Sequence, residues 1–223
     1  MVVDDKAVTI CVASGQQITD FQKMLYQIYC IELRWFDRVQ FPEGIFTDAY
    51  DPVSVFLTVY AHGELISGVR LVYDSDKGYP HEYVSHVPIP DINHPIIATR
   101  ISDIVYNAGR SRIMEITRFI GKKSIPRIHT YDLMKAMYWF SVKNSIQVLF
   151  MAVDLHTFLQ CYKLGFQIIP VGIPFFCEGS WVIPAVQLVE HMVPEEPAIR
   201  EYFLDQTALV GEWHVLNGNR TRT

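Results

Sequence analysis

The chain has 223 residues, of which 50% are hydrophobic and only 19% charged, and its formal net charge is -5. A chain of this length can bury a substantial core, and a charged fraction below the usual quarter points to a large interior or an apolar cavity. The negative total gives no general case for nucleic acid, and no apolar run approaches the 18 residues of a spanning helix.

VTICVAS (8–14) predicts a short apolar strand. Thr19 and Gln22 have capping-box spacing, and Phe21, Leu25, Ile28 and Tyr29 continue a helical pattern to about Trp35. FPEGIFTDAYDP (41–52) carries loop signals. Residues 54–74 read as a hairpin, with Val55, Leu57 and Val59 alternating and His62-Gly63-Glu64 at the turn. Residues 78–97, with four prolines, predict a long irregular loop, and a short helix is expected around Thr99 to Tyr106. The strand containing MEITRF (114–119) follows, then a helix opened by Thr130 and running to about Lys143. VLFMAVD (148–154) is a near-continuous apolar strand, which argues for parallel pairing with the MEITRF strand. Asp154 caps the helix LHTFLQCYKL, and Gly165 ends it. FQIIPVG and SWVIPAVQLV supply closing strands, and PAIREYFLDQ (197–206) an amphipathic helix. This order gives an α/β fold with a mixed central sheet flanked by helices. A single domain over 1–223 is expected, its core about 8–192 and its C-terminal extension 193–223.

Cys11, Cys30, Cys161 and Cys177 lie far apart without C-x-x-C spacing and read as reduced thiols. With no signal-peptide pattern at the N-terminus, they suggest a cytoplasmic protein that is not transmembrane, contact with a membrane surface remaining compatible. Charge is uneven. Nine of the 19 basic residues fall between Arg100 and Lys143 with only Asp103, Glu115 and Asp132, which leaves 10 basic and 21 acidic residues elsewhere. Such a window suits an anionic partner, or a solvated rim.

Most motifs fail on inspection. HEYVSH (81–86) places its second histidine one residue late for a zinc-protease helix, and no histidine–cysteine cluster supports a metal. No G-x-S-x-G occurs and no cysteine has a recognisable partner, so a nucleophilic triad has no support. RFIGKK (118–123) only partly matches a pyrophosphate cradle, because Lys123 stands where a glycine or alanine belongs. The informative charges are Asp48 and Asp51 around Tyr50, Arg70 within one strand, and Glu115 and Arg118 within another. Burying a charge costs several kcal/mol unless it is paired, so these groups are either structural ion pairs or a site. Strand alternation sets Glu115, Thr117 and Phe119 on one face and Met114, Ile116 and Arg118 on the other, unless a bulge intervenes.

Taken in order, LYQIYCIELRW, DAYD, SGVRLV and MEITRF resemble the autoinducer (acyl-homoserine lactone) synthase superfamily, over roughly residues 20–190. YDPVS (50–54) and FFCEGSWVIP (175–184) are similar to its long-chain N-acyl amino acid synthase branch. The chain departs at Leu25, where the family usually has arginine, and at Phe56, where that branch often has histidine.

The resemblance implies a GCN5-related N-acetyltransferase-like fold and transfer of a long-chain fatty acyl group from acyl carrier protein to the amine of an amino acid. It also implies that Trp35, Asp48, Asp51, Arg70, Glu115, Arg118 and Phe119 occupy the family's charged or aromatic positions. Homoserine lactone synthesis from S-adenosylmethionine and a non-catalytic acyl-binding role are the alternatives. No tightly bound cofactor is expected. The donor is carried on the phosphopantetheine of acyl carrier protein, with acyl-CoA as the other source. On this reading Glu115 is the general base, directly or through water, since burial raises a carboxylate pKa. Backbone N–H groups where the MEITRF and VLFMAVD strands splay would hold the thioester oxygen. Arg118 anchors the Asp48/Asp51 loop, Trp35, Phe36 and Phe46 form a wall, and Phe150, Met151, Phe158, Phe175 and Phe176 are compatible with an acyl cavity or plain core. Arg110, Arg112, Lys122, Lys123 and Arg127 are the candidates for docking acyl carrier protein.

Overall fold

Alternating apolar residues build one mixed sheet, seen in a computed structural model that describes residues 8–81, 108–122 and 128–213. The loop over 78–97 beyond residue 81, the helix expected at 99–106, and Lys123 and Arg127 lie outside the described residues. The strands are β1 (Val8–Val12), β2 (Ser54–Ala61), β3 (Glu64–Tyr73), β4 (Ile113–Gly121), β5 (Val148–Asp154), β6 (Ile168–Pro170), β7 (Phe175–Cys177), β8 (Ser180–Leu188) and β9 (Leu209–Val210). They are ordered β6-β8-β5-β4-β3-β2-β1-β9, with β7 also paired to β8. The β4–β5 pair is parallel, as the apolar run of β5 predicted, and so is β1–β9; the other pairs are antiparallel.

Side-chain alternation gives the sheet two unlike faces. Val55, Leu57, Val59, Val69, Leu71, Met114 and Ile116 join one core cluster with Leu133, Met134, Met137 and Phe140 of helix α2 (Ile128–Lys143). The residues between them, Phe56, Arg70, Glu115 and Thr117, turn to the other face, beneath helix α1 (Gln16–Tyr26). There Phe21 is fully buried, worth about 1.5–3 kcal/mol, and packs edge-on to Phe56 at 5.7 Å between ring centres. Gly68 of β3 makes room for it: a Cβ at Gly68 would lie 2.4 Å from the Phe21 ring. Helix α3 (Leu155–Lys163) is capped by Asp154, whose side chain accepts from Thr157 N at 2.9 Å.

Two details differ from the sequence reading. Helix α1 begins one turn earlier than Thr19 suggests, and Gln17 Oε1 accepts from the Ser14 N–H at 3.1 Å. The same helix then widens into a π-helical turn, Gln27–Glu32, which buries Tyr29 and Cys30. Beyond residue 192 the chain returns to the core. Helix α4 (Pro197–Leu204) buries Phe203, Trp213 is 4% exposed, and β9 extends the sheet beside β1.

Candidate active site

The site begins with one extra residue in β4. Gly68 is paired with Ile120 and Arg70 with Thr117, so Arg118 and Phe119 both stand opposite Val69. Arg118 takes φ 54°, a left-handed conformation that costs a side-chain-bearing residue about 1–2 kcal/mol. This bulge overturns the expected alternation and brings Arg118 to the α1 face, alongside Glu115 and Thr117. Its guanidinium lies 4.9 Å from the Phe46 ring centre, 5.5 Å from Tyr29 and 5.6 Å from Phe36. Nη1 donates to Glu178 Oε2 at 2.6 Å, and Nη2 donates to Glu178 Oε1 and to Asp48 Oδ2, both at 3.2 Å. Burial pushes the Tyr29 phenol up to about 12, so it stays neutral beside this cation.

Arg70 ties down the acidic loop. It is 2% exposed; Nη1 donates to Asp48 Oδ1 at 2.6 Å and to Asp51 Oδ1 at 2.5 Å, while Nε donates to Thr117 Oγ1 at 2.9 Å. The two carboxylates differ in surroundings. Burial pushes Asp48 up, but Arg70, the Tyr50 N–H and Arg118 outweigh it and hold Asp48 below the ordinary aspartate range. Asp51 is raised, chiefly by burial. Leu25 packs with Phe21 and Met24 instead of facing these charges, and Gln22, one turn earlier, donates to Asp51 Oδ2 at 2.9 Å.

Glu115 is 0% exposed and is no partner of Arg118. Its Oε1 accepts from His81 Nδ1, and its Oε2 accepts from the His81 backbone N–H at 3.2 Å. The opposite side of that imidazole, Nε2, lies 3.7 Å from Cys177 Sγ. Cys177 therefore has the partner that spacing along the chain did not disclose, 96 residues upstream.

These groups surround a cavity where the sheet opens. Register between β4 and β5 runs from Ile113↔Val148 to Ile116↔Met151; among the described residues no further pair joins the two strands, although β4 continues to Gly121 and β5 to Asp154. The cavity passes through that gap. Trp35, His81, Thr117, Arg118, Cys177 and Glu178 line it from the α1 side; Phe119, which the bulge turns toward the main core, and Ile116, Met134, Met137, Met151 and Cys161 add apolar surface. Glu115 is not on the wall, and His81 stands between it and the cavity. Of the apolar residues suggested for the cavity only Met151 lines it. Phe150 packs edge-on to Tyr79, Phe158 joins the main core, and Phe176 is 63% exposed.

Among the described residues, the basic side chains of the window do not share one face. Arg118 is tucked under its aromatic rings, and Lys135 is fully buried. Arg110 and Arg112 precede β4, whereas Lys122 follows it, roughly 30 Å away at about 3.3 Å per strand residue. Arg110 Nε donates to Asp74 at 2.9 Å, and Lys122 pairs with Glu64.

His81, Cys177, Glu178 and Tyr29 escaped the sequence reading. The signal for two of them was Glu178-Gly179, a two-residue hairpin turn with φ 47° and 87° between β7 and β8. Gly179 also sits against Trp35, where a Cβ would lie 2.6 Å from Cδ1. Gly179→Ala is expected to lose about 1–3 kcal/mol through overpacking and to draw Glu178 and Cys177 out of place. A thermal melt checks this, and an unchanged midpoint would show that the turn does not depend on that contact.

No family model and no curated protein matches the chain. Solved structures do. The CoA-dependent acyl-homoserine lactone synthase BjaI, determined with MTA, has 15% identity over 92% of this chain and 93% of its own, with a TM-score of 0.63. The acyl-homoserine lactone synthase LasI has 14% identity over 82% and 89%, at 0.56. FeeM, an N-acyl amino acid synthase from uncultured soil microbes, has 10% identity over 83% and 92%, also at 0.56. The chain thus has the fold that its sequence resemblance implied. No helix among the described residues is long and apolar enough to cross a membrane.

Proposed function

We propose that the protein is an N-acyltransferase that moves a long-chain fatty acyl group from a phosphopantetheine thioester to the amine of an amino acid. The observation that carries this reading is the cavity through the β4–β5 gap, which joins the polar His81–Glu115 pair to an apolar interior lined by Met134, Met137 and Met151. Acyl transfer from a thioester needs both: a proton acceptor for the attacking amine, and apolar surface for the acyl chain. The fold shared with BjaI and FeeM supports the same class of chemistry.

Overall, the amine nitrogen bonds to the thioester carbonyl carbon, the carbon–sulfur bond breaks, and the thiolate leaves with a proton. His81 Nε2 accepts the proton that the amine sheds and returns it to the departing sulfur. Glu115, held on the far side of the ring, orients the imidazole and stabilises its cationic form. Backbone N–H groups of β4 and β5 at the gap are the proposed donors to the carbonyl oxygen. The Asp48–Asp51–Arg70–Arg118 network holds the acidic loop and Trp35 beside the acceptor.

The test is to incubate the protein with acyl carrier protein bearing hexadecanoate and a mixture of amino acids, then identify products by mass spectrometry. An N-acyl amino acid is the expected product. A lactone formed only when S-adenosylmethionine is supplied would transfer the assignment to autoinducer synthesis, and no amide from any acceptor would refute the reading. Carrier docking is tested separately by changing Lys122, Lys123 and Arg127 to Glu. Transfer from the acidic carrier should slow while transfer from acyl-CoA persists, and unchanged transfer from the carrier would eliminate that basic surface as the docking site.

A further inference from the structure

We propose that Cys177, His81 and Glu115 form a thiol–imidazole–carboxylate triad and that Cys177 carries the acyl group covalently between donor and acceptor. The proposal rests on the acyl-transfer reading above and adds an intermediate to it. The geometry is that of an activated nucleophile. Glu115 holds His81 at two points, the ring Nδ1 and the backbone N–H, and so directs Nε2 away from itself. Cys177 Sγ lies 3.7 Å from that Nε2, and both residues line the cavity. A carboxylate accepting from Nδ1 fixes the tautomer that leaves Nε2 as the acceptor for the thiol proton.

The other thiols are set apart from this arrangement. Cys11, Cys30 and Cys161 are buried, whereas Cys177 is partly exposed. Burial pushes the Cys161 thiol up to about 12 and raises Cys30 as well, which leaves both protonated and poor nucleophiles. The position of Cys177 is also fixed. It is paired with Ser180 across the Glu178-Gly179 turn, whose glutamate is clamped by Arg118 on β4. The network that looked purely structural therefore sets the distance between sulfur and imidazole.

Two balanced steps follow. In the first, Cys177 gives its proton to His81 Nε2, and the thiolate attacks the donor carbonyl carbon. A new carbon–sulfur bond forms, the old one breaks, and the proton on His81 leaves with the pantetheine sulfur as a free thiol. One thioester replaces another, so the activation of the acyl group is conserved. In the second, the amine attacks the acyl-Cys177 carbonyl, its proton passes to His81, and Cys177 departs as a thiol. No oxidant, reductant or further reactant is needed. The donor can therefore leave before the acceptor enters.

The experiment mixes the full chain with hexadecanoyl-CoA, and separately with hexadecanoyl carrier protein, without any amine, and quenches in acid. Intact-mass and peptide analysis should find one hexadecanoyl group on Cys177, removable by hydroxylamine. Cys177→Ala should carry none. His81→Asn should slow release of the donor thiol by about 100-fold or more, and Glu115→Gln should move the pH profile of that release, which a merely structural role would not. Absence of an adduct on the unmodified chain from both donors overturns the proposal. If such a preparation still makes amide when an amine is added, direct attack stands and only the covalent stage fails. If it makes none, the acyl-transfer reading fails with it.

Discussion

Arg70→Met is expected to cost the protein about 3–5 kcal/mol, the penalty for breaking a buried ion pair from one side. Methionine comes close to the volume of the arginine stem, so the loss is electrostatic rather than steric. It leaves Asp48 and Asp51 facing each other with Thr117 and no guanidinium between them. The pH dependence has a definite sign. Asp48 is held below its ordinary range in the folded protein, so its share of stability is present above the unfolded value near 4 and lost as pH falls through the lower folded value. In the variant the two carboxylates repel and take up protons more readily on folding. The gap between parent and variant should therefore narrow as pH is lowered through the aspartate range. Urea unfolding at neutral and acidic pH measures both effects. A loss under 1 kcal/mol at neutral pH, or a gap that widens in acid, would show that Arg70 is not the loop's anchor.

Glu115→Gln should lower turnover by about 10²–10⁴-fold, the range ascribed to general acid–base groups. A stability loss of about 1–3 kcal/mol should accompany it, because the single amide oxygen of glutamine can accept from only one of the two His81 donors. What is lost is the negative charge that favours the imidazolium, so the effect should appear in kcat and in the pH profile more than in KM. Glu115 is a positioning residue here: it reaches the cavity only through His81. Near-normal turnover would remove Glu115, and with it the oriented histidine, from the mechanism.

The fold was largely legible because its strands carry strong alternation and its helices clear ends. The β5 run VLFMAVD announced parallel pairing, and Asp154 and Gly165 bounded helix α3. The site was legible only in part. Asp48, Asp51 and Arg70 stand out as charges inside apolar sequence, and they do meet. The position of Arg118 could not be read from alternation, because a bulge depends on the register of two strands and leaves no local mark. His81 and Cys177 were hidden for a different reason. Each sits in an unremarkable loop or edge strand, and only the chain's return after 96 residues sets the imidazole beside the sulfur. Glu178 belongs to the site through its pairing with Arg118 and the docking of its turn on Trp35, both of them contacts between distant parts of the chain.

The parallel seam also has a mechanical meaning. Four residue pairs join β4 to β5, whereas β2 and β3 share eight and β5 and β8 share seven. The sheet is therefore two stiff ribbons hinged along a short weld. Spreading them at the open end strains few backbone hydrogen bonds, and the walls there include three flexible methionine side chains, Met134, Met137 and Met151. An occupant of the gap is gripped by a compliant jaw rather than measured against a rigid ruler.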